Sequence, residues 1–129
     1  MSQHNQRYEE GLRIRREVMG AAHVERSMAA AGEFTLPVQE MVTEFCWGGL
    51  WSREGLDRKT RSMLNLVILA ALNRNHELAA HVRGAVTNGC TETEIRESLL
   101  HTVIYCGAPA GLEAFRVADS VLEELRDRP

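Results

Sequence analysis

Apolar residues along this chain recur at three- and four-residue intervals and almost never alternate, so the pattern predicts helices rather than strands. "RYEEGLRIRREVMG" sets Tyr8, Leu12, Ile14 or Arg15, and Val18 at helical spacing and stops near Gly20. "HVERSMAAAG" (23–32) reads as a short second helix closed by Gly32. Pro37 is placed to open a third, "PVQEMVTEFCWGGLW", with Val38, Met41, Val42, Phe45 and Trp51 along one side. Gly55 and Asp57 then interrupt the chain, and Asp57 is a suitable N-cap for "RKTRSMLNLVILAALN". That segment is apolar nearly all round beyond Arg61, which predicts a central helix. "NRNHELAAHVRGAVTNG" follows and stops at Asn88-Gly89. Thr91 and Glu94 have the spacing of a capping box ahead of "IRESLLHTVIYCG", and Pro109 opens "PAGLEAFRVADSVLEELRD". About seven helices with short connections predict an all-α bundle. A single domain over 1–129 is expected, since no linker, repeat or low-complexity tract divides it.

Composition narrows the function classes. A chain of 129 residues can bury a core without disulfides or a structural metal. Net charge is only -3 and basic residues are scattered among acidic ones, which argues against nucleic acid as a partner. The longest apolar run, "MLNLVILAAL" (63–72), falls well short of the roughly 18 residues of a membrane span. The opening "MSQHNQRYEEGLRIRREVMG" lacks the pattern of a secretory leader, so a cytoplasmic location is expected. Cys46, Cys90 and Cys106 form no CxxC pair and are expected to be buried or idle reduced thiols.

The chemistry concentrates between residues 47 and 81. His76 and His81 are five apart, which turns them roughly 140° from each other around a helix. A zincin helix needs its two histidines four apart, so no metal site is expected here. Arg74, Glu77 and His81 instead follow i, i+3, i+7 spacing and share a face. That face could set an acid, a base and a cation around a small anion, or it could be a surface pair of Glu77 with His81. Arg58 and Arg61 stand at a helix start, where acidic residues are usual, so they either pair with acids or bind an anionic ligand. Trp47 and Trp51, four apart, read as core or interface, with walling a pocket the alternative. His101, on a face with Glu97 and Tyr105, reads as a buried structural histidine.

Three stretches carry a resemblance. "RYEEGLRIRREVMGAAHVERS", "WGGLWSREGLDRKTRSMLNLVILAALNRNHELAAHVRGAVTNGCTETEIRESLLHTVIYCGAPA" and "AFRVADSVLEE" resemble the carboxymuconolactone decarboxylase family, in order, from about Arg7 to Glu124. "GLDRKTRS" and "HTVIYCGAPA" are the most specific parts. The wider family includes disulfide reductases with CxxCxxxH on the helix that here carries His81. The two cysteine positions fall on Arg74 and Glu77, so thiol redox chemistry is not expected. After "YCG" relatives typically read Val-Pro-Ala-Ala-Asn, whereas this chain has Ala108, Pro109, Ala110, Gly111 and Leu112. Leu112 thus replaces an amide, which raises a related acid as an alternative substrate. Pro37 in "GEFTLPVQEM" is a second departure.

The resemblance implies helical subunits assembled as homotrimers or homohexamers, acting in the protocatechuate branch of the β-ketoadipate pathway. The implied substrate is a carboxylated lactone, an unsaturated γ-lactone with a carboxylate and an acetate arm on its γ-carbon. Its ring accepts the electrons released with CO2, so no cofactor is expected. Arg58, Arg61 and Arg74 become candidates for holding the carboxylates. His81 becomes the candidate acid for the ring carbon, tuned by Glu77, and Leu112 a candidate substrate contact. A paralogue acting on another lactone or keto acid, or a non-catalytic acid-binding subunit, is the alternative.

Overall fold

The computed structural model describes residues 4–127, in which seven α-helices and one π-helix leave only short connections and no strand. The fold is all-α. Two compact units divide it, one ending at Leu56 and one beginning at Asp57.

The N-terminal unit holds α1 (Gln6–Met19), α2 (Ala21–Ala30), α3 (Leu36–Met41) and the π-helix Val42–Leu50. Asn5 caps α1 by accepting from the Tyr8 amide at 2.9 Å, and Gly20, at φ 92°, ends it where sequence placed the stop. The predicted third helix is split. Its first turns are α-helical, but from Val42 the backbone widens into a π-helix, which packs on α1. Gly11 and Gly48 make that approach possible. A Cβ on Gly11 would stand 2.0 Å from the Thr43 carbonyl oxygen, and one on Gly48 would stand 2.2 Å from that of Arg7.

The widened turn also changes which side is buried. Thr43, Trp47, Gly48 and Trp51 face inward, while Val38, Met41, Val42 and Phe45 are exposed. Of the apolar residues that sequence set along one side of this helix, only Trp51 is buried. Trp47 and Trp51 stack at 4.8 Å and pack with Ile14 and Val18, as core residues of this unit.

The C-terminal unit holds α4 (Arg58–Ala71), α5 (Asn75–Thr87), α6 (Glu92–Cys106) and α7 (Ala108–Arg126). Helix α4 packs against each of the other three, as its composition predicts. It is not covered all round, however: Leu64, Ile68 and Leu72, at i, i+4, i+8, form an open stripe. Leu66, Leu78, Val82, Ile95, Leu99 and Val121 fill the core. The expected caps are present. Asp57 accepts from the Thr60 amide at 2.8 Å, and Thr91 and Glu94 exchange both capping-box bonds, at 3.1 and 2.9 Å.

Candidate functional site

The start of α4 brings Arg58, Lys59 and Arg61 together, with no acidic residue in its first turn beyond the Asp57 cap. Lys59 is taken by Glu94, at 2.7 Å. Arg58 is half-buried and Arg61 only 9% exposed. The side-chain amide of Asn88, just past α5, donates to Ser62 Oγ at 2.9 Å and to the Arg58 carbonyl at 3.5 Å. This fastens the end of α5 to the arginine-bearing start of α4. Sequence reading marked Asn88 only as a helix stop; its tertiary role had no local signal.

His81 stands midway along α5, beside the buried residues Leu78, Val82 and Ala85. It is half-buried with Nδ1 inside, as is Nε of Arg61. Glu77, one turn before His81, is exposed, and so is His76. Arg74 is the N-cap of α5 with ψ 71°, outside helical geometry, so the predicted stripe of Arg74, Glu77 and His81 is regular only from Glu77 to His81.

Arg74 is also set apart from the other cations. Asn75 at the start of α5 donates to Glu113 of α7 at 3.2 Å, whereas Asn88 at its far end meets Arg58 and Ser62. Over thirteen residues α5 runs about 20 Å, so Arg58 and Arg74 start from opposite ends of it. Leu112, exposed on the first turns of α7, belongs to the Arg74 end. The proposed cations thus do not form one cluster: Arg58 and Arg61 stay together, and Arg74 is remote from Arg58.

Trp47 and Trp51 belong to the N-terminal core described above. His101 is exposed, not buried as expected, because it projects on the outer side of α6 beside Tyr105, whose ring lies parallel at 6.1 Å. The three cysteines are free thiols. Burial pushes Cys46 and Cys90 above the ordinary thiol range, and Cys106 is exposed. A cleft of about 110 Å³ between α6 and α7, floored by Ile95, Leu99, Phe115 and Leu122, contains none of the residues singled out from sequence.

Comparisons with known proteins add a second kind of observation. The model of the carboxymuconolactone decarboxylase family matches residues 37–120. A nitrosuccinic acid decarboxylase of Metarhizium robertsii is 42% identical over 125 residues, covering 97% of this chain and 87% of the relative. A 4-carboxymuconolactone decarboxylase of Acinetobacter baylyi is 41% identical over 124 residues, covering 96% of this chain and 92% of the relative.

Proposed function

This chain belongs to the carboxymuconolactone decarboxylase family, and from that premise we propose that it decarboxylates 4-carboxymuconolactone to the β-ketoadipate enol-lactone. The observation that carries the reading is 41% identity, across 96% of the chain, to a relative named for that activity.

The chemistry sets the demands on the protein. Breaking the bond between the γ-carbon and its carboxylate releases CO2. The electron pair moves through the ring double bond onto the lactone carbonyl oxygen, giving a furan-type oxyanion. A proton then adds at the ring α-carbon and leaves the double bond between the β- and γ-carbons. The substrate is its own electron sink, so the step calls for no cofactor.

In this proposal Arg58 and Arg61, held together at the start of α4, take the acetate arm through charge-assisted hydrogen bonds. A cation on the departing carboxylate would stabilise the ground state and slow its loss, so their role is the arm that stays. His81 supplies the proton to the ring carbon, a task that suits an imidazole near neutral pH. Glu77, one turn away and exposed, tunes His81 by its charge. Arg74 and Leu112, at the other end of α5, are not assigned to the same carboxylate. The family domain is read as the whole chain, 1–129.

One observation favours a second reading, the 42% identity to a nitrosuccinic acid decarboxylase. Nitrosuccinic acid also carries its departing carboxylate on a carbon that bears an acetate arm and an electron acceptor. A nitro group replaces the unsaturated lactone as sink. The same cations and the same carbon acid would serve.

Assembly as a trimer or hexamer is part of the proposal, supported by the exposed apolar sides of α3 and α4. No helix among the described residues is long and apolar enough to cross a membrane, and the cytoplasm is the location proposed. Purified protein offered each acid in turn decides between substrates. Loss of the conjugated lactone absorbance with release of one CO2 supports the first reading, turnover of nitrosuccinate alone supports the second, and turnover of neither contradicts both.

A further inference from the structure

Among the described residues of the N-terminal unit, one buried cation has no carboxylate paired with it. Arg15 lies on the inner face of α1 with Tyr8, Gly11, Ile14 and Val18, and is 8% exposed. Its guanidinium donates from Nη1 to Thr43 Oγ1 at 3.1 Å and to Met28 Sδ at 3.9 Å, and from Nη2 to Gln39 Oε1 at 3.0 Å. All three acceptors are neutral, and among the described residues no carboxylate pairs with it. Arg13, two residues earlier and exposed, has two glutamates, Glu10 and Glu17. The arginine in water has acids and the arginine in the core has none.

That distribution is the reverse of what stability alone favours. An arginine keeps its charge at neutral pH, and a charge removed from water needs a counter-charge. Desolvation draws the Arg15 pKa down, against smaller opposing effects of the Cys46 thiol and the Tyr8 hydroxyl. Among the described residues three of the five guanidinium N–H groups are used, which leaves Nε–H and one Nη2–H for an acceptor from outside them. The surroundings hold the fork in place. Thr43 Oγ1 spends its own hydrogen on the Gln39 carbonyl at 2.7 Å, so it remains an acceptor toward Arg15. The Gln39 side chain, held by its oxygen, carries an amide NH2 as one more donor beside the fork.

We propose that Arg15 anchors a carboxylate-binding site in the N-terminal unit, which takes the carboxylate of a small organic acid on its guanidinium, with the Gln39 amide beside it. A single cation suits a singly charged head group. The inference is independent of the decarboxylase reading, which uses cations on α4.

Succinate, acetate, phosphate and chloride, each at the same ionic strength, serve as probes of the thermal stability of the full chain. Succinate and acetate are expected to raise the melting temperature of wild type, and phosphate and chloride to do so much less. Arg15→Met should fold, since it removes an unmatched buried charge and keeps the packing, and, made in the Arg61→Met background so that the α4 cations bind no carboxylate of their own, should lose the response. Arg15→Lys keeps the charge but not the fork and should weaken the response about tenfold in concentration. Arg61→Met, which alters only the α4 cations, should retain it. The proposal is overturned if Arg15→Met and Arg15→Lys both respond as wild type, if Arg61→Met abolishes the response, or if phosphate matches succinate. It is also overturned if Arg15→Met changes the assembly size while wild type ignores succinate, for then a carboxylate of a second copy is the partner.

Discussion

The side-chain amide of Asn88 donates to Ser62 Oγ at 2.9 Å, and with its longer bond to the Arg58 carbonyl it joins the end of α5 to the first turns of α4. Arg61 precedes Ser62 in the chain and is buried, so its placement depends on that junction. Arg61→Met is expected to raise KM about tenfold or more with kcat little changed, the sign of binding lost equally from ground and transition states. Asn88→Ala should raise KM in the same direction by less, and lower stability by about 1 kcal/mol. Steady-state kinetics with denaturant unfolding checks both. A fall in kcat alone for Arg61→Met would assign Arg61 to the chemical step.

Acid should destabilise the C-terminal unit through three carboxylates. Hydrogen bonds from Thr60 hold Asp57 below the ordinary range, Arg126 does so for Glu92, and Lys59 for Glu94. Each binds a proton less readily folded than unfolded. Each therefore adds stability that is present at neutral pH and is lost as pH falls below the ordinary carboxylate range and through its folded value. Melting temperature followed by circular dichroism should be flat from neutral pH to about pH 5 and then decline. Arg126→Met should make the decline shallower. An unchanged slope would show that Glu92 gains nothing from its partner.

The crossing of α1 with the π-helix rests on an absent side chain. Gly11→Ala would put a Cβ within 2.0 Å of the Thr43 carbonyl oxygen, where neither backbone can yield. The expected loss is about 1–3 kcal/mol, as for other overpacked sites. Gly32→Ala, with nothing within 4 Å of the added atom, is the matched control. Urea unfolding distinguishes the two.

Much of this fold is written in local chemistry. The Asp57 cap, the Thr91–Glu94 box, Gly20 and the Asn88-Gly89 stop act within a few residues, and each appears where sequence reading set it. The π-helix was not legible, because no spacing of apolar residues encodes it. It accompanies the contact of Gly48 with α1, which is tertiary. Arg15 was hidden for a related reason: charge at a core position looks like a shift in register, and the face reads equally well through Ile14. Within the candidate site, Arg58 and Arg61 were legible as cations that break the usual rule for a helix start. Arg74 does not continue the face of Glu77 and His81 because its backbone leaves the helix there, and its separation from Arg58 was not legible because sequence does not say which end of α5 meets α4. His101 was misjudged because helical spacing identifies a face without saying which way it turns.

Exposed apolar side chains give the assembly prediction its handle. Met41 and Phe45 on one unit, and Leu64 and Ile68 on the other, are large, apolar and open in the single chain. Light scattering should find a closed oligomer of three or six copies at micromolar concentration. Ile68→Glu or Phe45→Glu should reduce its size, since a charge there must be buried on assembly. A monomeric wild type with full activity would contradict this part of the account.

Turnover of 4-carboxymuconolactone by His81→Asn tests the proposed delivery of a proton from His81 to the ring carbon. The variant should bind substrate nearly as well as wild type, because Arg58 and Arg61 remain, and its kcat should fall about 10²-fold or more. His76→Asn, exposed on another side of the same helix, should keep its kcat. A His81→Asn enzyme that turns over at the wild-type rate, beside an inactive His76→Asn enzyme, would contradict the account and place the chemistry on the opposite face of α5.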